Sequence, residues 1–256
     1  MLRRPSHNHP QSPLVTTVPA VDSLLSGGLA RGRLVELVGR RSSGRFSTAL
    51  ATLAATTSTG EAAALIDLGD SLHPRLATGV GIDLERLLWL RPARIQHALR
   101  GAEMLLASGF PLVVMELGNP PLRGGRGGEA AWLRLARSAR AQGAVLLVSS
   151  PYRVSGTAAT VVLQAQRGRA TWQGAGSAPR LLSGLRGQLS IEKHRGHRPG
   201  QRHGIDLITP EMAALGVLPR SFSPLAQVGK KARQGHATEA THTALSAASP
   251  AISAAG

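Results

Sequence analysis

The chain has 256 residues, with 30 Lys and Arg against 14 Asp and Glu, a formal charge of +16. It has no cysteine, which excludes a disulfide framework and cysteine-ligated zinc. No apolar run is long enough to span a bilayer, and aromatic residues make up only 3%, too few for the stacking platforms of single-strand binders.

In chain order, residues 1–13 read as a disordered basic arm, too polar and Pro-rich for a secretory signal. RLVELV (33–38) is a β-prone run that enters a Gly-rich loop, and RFSTALATLAATT (45–57) suits a helix. AAALIDL (62–68) is a continuous apolar run, as in a strand buried on both faces. Pro74 opens a short helix, followed by a strand (86–90), a helix (94–109) and the strand PLVVMEL (111–117). The helix at 128–143 carries Trp132, Leu135 and Ala139 on one face and Arg134, Arg137 and Arg140 on its flank. AVLLVSS (144–150) is again a strand.

This alternation predicts an α/β fold, a mostly parallel twisted sheet with helices on both faces. Three β-prone runs without intervening helices, 159–166, 187–194 and 204–209, are expected to extend it as antiparallel strands. The core domain is placed at 14–225. From residue 226 the chain lacks aromatics and has few large aliphatics, the composition of a flexible low-complexity tail.

The charge calls for an acidic partner: nucleic acid, as in non-specific DNA binding, an anionic membrane or an acidic protein. Codon bias toward Arg is an equal explanation, since Lys occurs only at 193, 230 and 231. From Leu117 to Ile191 the single acid is Glu129, among ten arginines, which favours a basic face on the second half of the domain. The GRRSSGRF stretch has the outline of a phosphate loop: Gly39, four residues including Ser42 and Ser43, then Gly44. The expected Lys and Ser/Thr are replaced by Arg45 and Phe46. Arg45 keeps a charge but not an ammonium's shape, and Phe46 has no oxygen for a metal.

Across residues 16–209 the chain resembles RecA-fold proteins, and among them the shorter ImuA-like, SulA-related branch. VDSLLSGGLARGRLVELVGRRSSGR resembles the entry to the RecA phosphate loop, and ALIDLGDSLHPRLATGVGIDLERLLWLRP the strand, helix and G-[IV]-D-x-x-x-L-L segment that follow. ASGFPLVVMEL resembles the strand bearing the metal-associated acid, which makes Glu116 the Walker B-like residue. The resemblance places Gly69 where RecA carries its water-orienting glutamate, and Ser149 and Ser150 where RecA carries Asn-Gln. A degenerate Walker A loop of Gly39, Ser42, Ser43, Gly44 and Arg45 then implies a phosphate site without ATPase activity, no catalytic residue and no cofactor. The DNA-binding loops implied at 118–129 and 149–160 are short, with Arg123 and Arg126 as phosphate contacts. Lys193 and Arg195 match the basic pair that reaches a neighbouring subunit in RecA filaments. The histidines at 194, 197 and 203 lack carboxylate or thiolate partners, so no metal site is expected.

The function this resemblance implies is a non-catalytic, cytoplasmic, nucleoid-associated accessory protein of the SOS response and translesion synthesis. Its partners would be an ImuB-type Y-family polymerase relative, an error-prone C-family polymerase and RecA, with no membrane. Two alternatives stand beside it: a divergent RecA paralogue that slowly hydrolyses ATP, and a SulA-like inhibitor of the division GTPase FtsZ.

Overall fold

Short, wholly apolar segments of this sequence become the centre of one sheet. The computed structural model describes residues 12–119, 125–174, 176, 179–194, 196 and 199–208. A short helix α1 (Pro19–Leu24) leads to β1 (Arg33–Gly39), α2 (Arg45–Ser58) and β2 (Ala63–Asp67). Then come α3 (Pro74–Gly79), a 3-10 turn (Leu84–Arg86), β3 (Leu87–Leu90), α4 (Ile95–Ala107) and β4 (Leu112–Glu116). The series ends with α5 (Glu129–Gln142), β5 (Val145–Ser150), β6 (Val161–Gln173), β7 (Leu181–His194) and β8 (Arg202–Ile208).

Among the described residues the strands form one eight-stranded sheet in the order β3-β2-β4-β5-β1-β6-β7-β8. The strands β3 to β6 in that series run parallel, while β6–β7 and β7–β8 are antiparallel. The expected architecture is therefore present, with one refinement: β6 pairs parallel with β1, so the antiparallel extension begins one strand later.

Every residue of β2, β4 and β5 is buried, the burial pattern of strands covered on both faces. Alternate side chains feed two cores. On one face Val35, Leu37, Leu65, Val114 and Leu147 pack against Ala49 and Leu53 of α2 and Val21 and Leu24 of α1. On the other face Leu34, Ile66, Met115 and Val148 meet Leu99 and Leu106 of α4 and Trp132, Leu135 and Ala139 of α5. The apolar face expected for α5 is thus its buried face, and Arg134 on its flank pairs with Glu103 of α4 at 3.0 Å. In α2 the buried Thr48, Thr52, Thr56 and Thr57 each donate a hydroxyl to the carbonyl four residues back, which lets a polar stripe enter the core satisfied.

Two features were not read from the sequence. Helix α1 has only six residues, too few for periodicity to declare itself. The β6–β7 hairpin is longer than the β-prone runs, reaching Gln173 and starting again at Leu181. Its outer half is mostly exposed or half-buried, so no strict alternation of buried and exposed residues marks it. The expected arm, residues 1–13, lies outside the described residues apart from Ser12 and Pro13, and the tail from 226 lies outside them altogether.

Candidate functional site

Parallel pairing aligns the carboxyl ends of the central strands. Asp67 of β2 is in register with Glu116 of β4, and Glu116 with Ser149 of β5. Residues in register on neighbouring strands share a face, so the three form a polar row on the α2 side. Each is almost fully buried. This edge, beyond the carboxyl ends of the strands, is where open α/β sheets place their ligands.

The turn from β1 into α2 delivers Arg45 to that row. Ser42 (φ 60°) and Gly44 (φ 87°) both take the left-handed conformation, the second as the residue preceding the helix. The positive φ at Gly44 favours glycine, and a Cβ there would also displace the Leu207 side chain of β8, 2.3 Å away at Cδ1. Gly39 is constrained by close approach alone, since a Cβ there would stand 2.9 Å from the Ala165 carbonyl oxygen. Ser43 is buried, and its hydroxyl has no hydrogen-bond partner among the described residues.

Arg45 is the first residue of α2 and turns its guanidinium across the sheet edge. Nη1 donates to Glu116 Oε1 at 2.8 Å and to Ser149 Oγ at 2.9 Å, while Nη2 donates to the carbonyl of Gly118 at 2.9 Å. Glu116 also accepts from Ser149 Oγ at 2.5 Å and from the Gly118 N–H at 3.0 Å. Arg45 and Glu116 form an ion pair with side-chain exposures of 6% and 2%. Burial pushes the Glu116 carboxyl above its ordinary value, opposed by Arg45 and by hydrogen bonds from Ser149 and Gly118. The cation also sits at the positive end of a helix, so Glu116 offsets both.

Asp67 is held differently, accepting N–H bonds from Ser71 (2.8 Å) and Leu72 (2.8 Å). It thereby fixes the turn that contains Gly69 and Asp70. Gly69 lies against Gly118, and a Cβ at position 69 would stand 2.7 Å from Gly118 Cα. Asp70 pairs with Arg91 at 2.7 Å on the surface, pointing away from the row.

The segments after β4 and β5 are stitched together. The Arg126 guanidinium lies 4.6 Å from the Tyr152 ring centroid, and Trp132 Nε1 donates to the Arg126 carbonyl at 3.0 Å. Thr157 Oγ1 donates to Glu129 at 2.8 Å, and Lys193 Nζ to the Thr157 carbonyl at 3.3 Å. Arg126 and Lys193 therefore both border the 152–157 segment. Arg123 and Arg195 lie outside the described residues.

Sequence reasoning missed Glu36, a fully buried acid on β1. It accepts from the Val154 N–H at 2.6 Å and from the Ser155 hydroxyl at 2.5 Å. A lone acid in the apolar run RLVELV was the available signal. Its role is to tie the segment after β5 to the central strand. Glu36→Gln should cost about 1–3 kcal/mol, the penalty for mismatched buried hydrogen bonds. Tryptic cleavage at Arg153 should accelerate accordingly, and an unchanged cleavage rate would remove that role.

A mostly parallel sheet of this order, with a glycine-bounded turn into α2 and an acid at the end of β4, is a fold that this chain shares with known proteins. Residues 11–117 match the RecA N-terminal domain family. The chain is also similar to protein RecA of Picosynechococcus sp., 37% identical over 98 residues, covering 37% of this chain and 28% of that protein. It is 43% identical over 83 residues to protein RecA of Saccharopolyspora erythraea, covering 32% and 24% of the two chains. The matches thus span only about a quarter of the length of these relatives. The crystal structure of the RadB recombinase shares the fold, with a TM-score of 0.56 at 19% identity over 75% of this chain and 94% of that one.

Among the described residues no group of three or more His, Asp or Glu is placed to hold a metal ion, and no helix is long and apolar enough to cross a membrane.

Proposed function

We propose that this chain is a non-catalytic RecA-fold accessory protein of the DNA-damage response, of the ImuA-like kind. It serves translesion synthesis through contacts with an ImuB-type polymerase relative and an error-prone C-family polymerase, with RecA as a further partner. The similarity of residues 11–117 to RecA supports the DNA-damage setting.

The observation that carries the non-catalytic reading is the ion pair between Arg45 and Glu116. A RecA-type site needs a cation free for phosphate, a hydroxyl and an acid for magnesium, and a carboxylate to orient water. Here the cation is committed to the acid, and both Glu116 oxygens are engaged by protein donors. The next residue is Phe46, and Gly69 has no room for a side chain. These residues do not fit a magnesium nucleotide. The degenerate loop survives as a turn that seats Arg45.

The test is titration of a fluorescent ATP analogue with magnesium, at low and at physiological salt. We expect no saturable binding at physiological salt and no ATP turnover above that of Arg45→Ala. Micromolar binding that persists in salt and disappears in Arg45→Ala would overturn the reading in favour of a nucleotide-dependent recombinase paralogue. The partnership is checked by mixing purified ImuB-type protein with this chain and looking for co-elution on a sizing column.

A further inference from the structure

The β6–β7 hairpin continues beyond the core as an arm with two unlike faces. Leu189 and Ile191 of β7 are buried in the α2-side core. On the same face of that strand, further out, lies Leu185, paired with Leu207 of β8 and Ala170 of β6. The register skips Ser183 and then pairs Trp172 with Leu182. Strand alternation puts Trp172 on the face of Ala170, so the apolar face of the core runs outward to a Trp172–Leu182 pair. These two side chains are 56% and 46% exposed, although buried tryptophan and leucine are the rule. The opposite face carries Arg169 directly across from Arg186. Like charges opposed across strands are unfavourable, and Asp206, 3.2 Å from Arg186, is the carboxylate beside them.

We propose that this arm is a docking element for a partner protein whose groove offers an apolar floor to Trp172 and Leu182 and carboxylates to Arg169 and its neighbours. Three observations select that occupant. The described part of the β6–β7 hairpin and β8 bears Arg167, Arg169, Arg180, Arg186, Lys193 and Arg202 against Glu192 and Asp206, an excess of positive charge that calls for an acidic surface. A second copy of this chain carries the same +16 charge and is repelled. A single nucleic-acid strand would need the stacking ring and the phosphate-binding arginines on one face, whereas the register separates Trp172 from Arg169. Tryptophan and arginine are also the residues that dominate protein interfaces. The inference is independent of whether the chain binds nucleotide.

The arm carries its own reporter, because Trp172 is the exposed tryptophan, whereas Trp89 is half-buried under Arg91 and Trp132 is fully buried, and the Trp172→Phe variant separates its signal from theirs. The probe is a short peptide of alternating leucine and glutamate, compared with a leucine–lysine peptide and with oligothymidylate, each titrated into the whole protein. We expect the leucine–glutamate peptide to shift tryptophan emission to shorter wavelength, and Trp172→Phe to abolish that shift. By anisotropy of the labelled peptide, Leu182→Ser and Arg169→Ala should each weaken binding by about tenfold with an unchanged melting temperature. Binding of the leucine–lysine peptide with equal strength, or quenching of Trp172 by oligothymidylate but not by the acidic peptide, would overturn the proposal. So would the absence of any response to the acidic peptide.

Discussion

Replacing Arg45 with alanine is expected to cost about 3–5 kcal/mol of stability at neutral pH, the usual result of stranding one member of a buried ion pair. A domain's whole stability is about 5–15 kcal/mol, so the variant should unfold at much lower urea. The loss should depend on pH, with a sign fixed by Glu116. Burial already raises its carboxyl, and Arg45 is the largest opposing influence. Without Arg45 the folded-state value rises further above the unfolded one. A carboxyl raised in this way contributes stability that is fully present below its unfolded value and is lost as pH rises through its folded value. The deficit of Arg45→Ala relative to the parent should therefore be larger at pH about 8 than at pH about 5. A deficit that is flat with pH would mean that the two groups are not coupled. The paired replacement Arg45→Met with Glu116→Leu removes both charges together and should be far less damaging than either single change, as for other buried pairs.

Restoring glutamate at position 69 should damage the protein without reviving chemistry. The Cβ of any side chain there would stand 2.7 Å from Gly118 Cα and 2.8 Å from Ser71 Oγ. Backbone cannot yield as a flexible side chain can, so even Gly69→Ala should cost about 1–3 kcal/mol, the range for overpacking. Gly69→Glu should cost at least as much. Added to Arg45→Lys and Phe46→Thr, it should produce no magnesium-dependent ATP turnover above the parent. Thermal melts follow the first effect and phosphate release the second. A stable Gly69→Glu protein with measurable turnover would show that the Gly69–Gly118 approach is not a barrier.

Much of the fold was legible because its central strands are nearly pure apolar runs. AAALIDL, PLVVMEL and AVLLVSS admit few structures other than strands covered on both sides. The glycines at 39 and 44 were legible as well, from spacing, and the acid ending β4 from the resemblance of its strand to that of RecA. What spacing could not supply was contact. Arg45 and Glu116 lie 71 residues apart, and only the parallel register of β4, β5 and β1 brings the α2 entry over the acid. Ser149 was visible as a departure from a motif but not as the hydroxyl bridging the pair. Glu36 stayed hidden because its partners come from a segment more than a hundred residues away. The outer arm was illegible for the opposite reason: mostly exposed or half-buried, its sequence has no strict alternation of burial to display.

The ion pair between Arg45 and Glu116 has a consequence for how the protein responds to its surroundings. A site completed by an exchangeable ligand gains stability with ligand concentration, so its melting point moves with supply. Here the occupying group is tethered to the backbone, and its effective concentration at Glu116 is set by chain geometry rather than by the solution. No change in solute level can titrate it away while the fold persists. On the function proposed above, the sheet edge that would act as a sensor in a ligand-gated protein is in this one a fixed joint, indifferent to mass action.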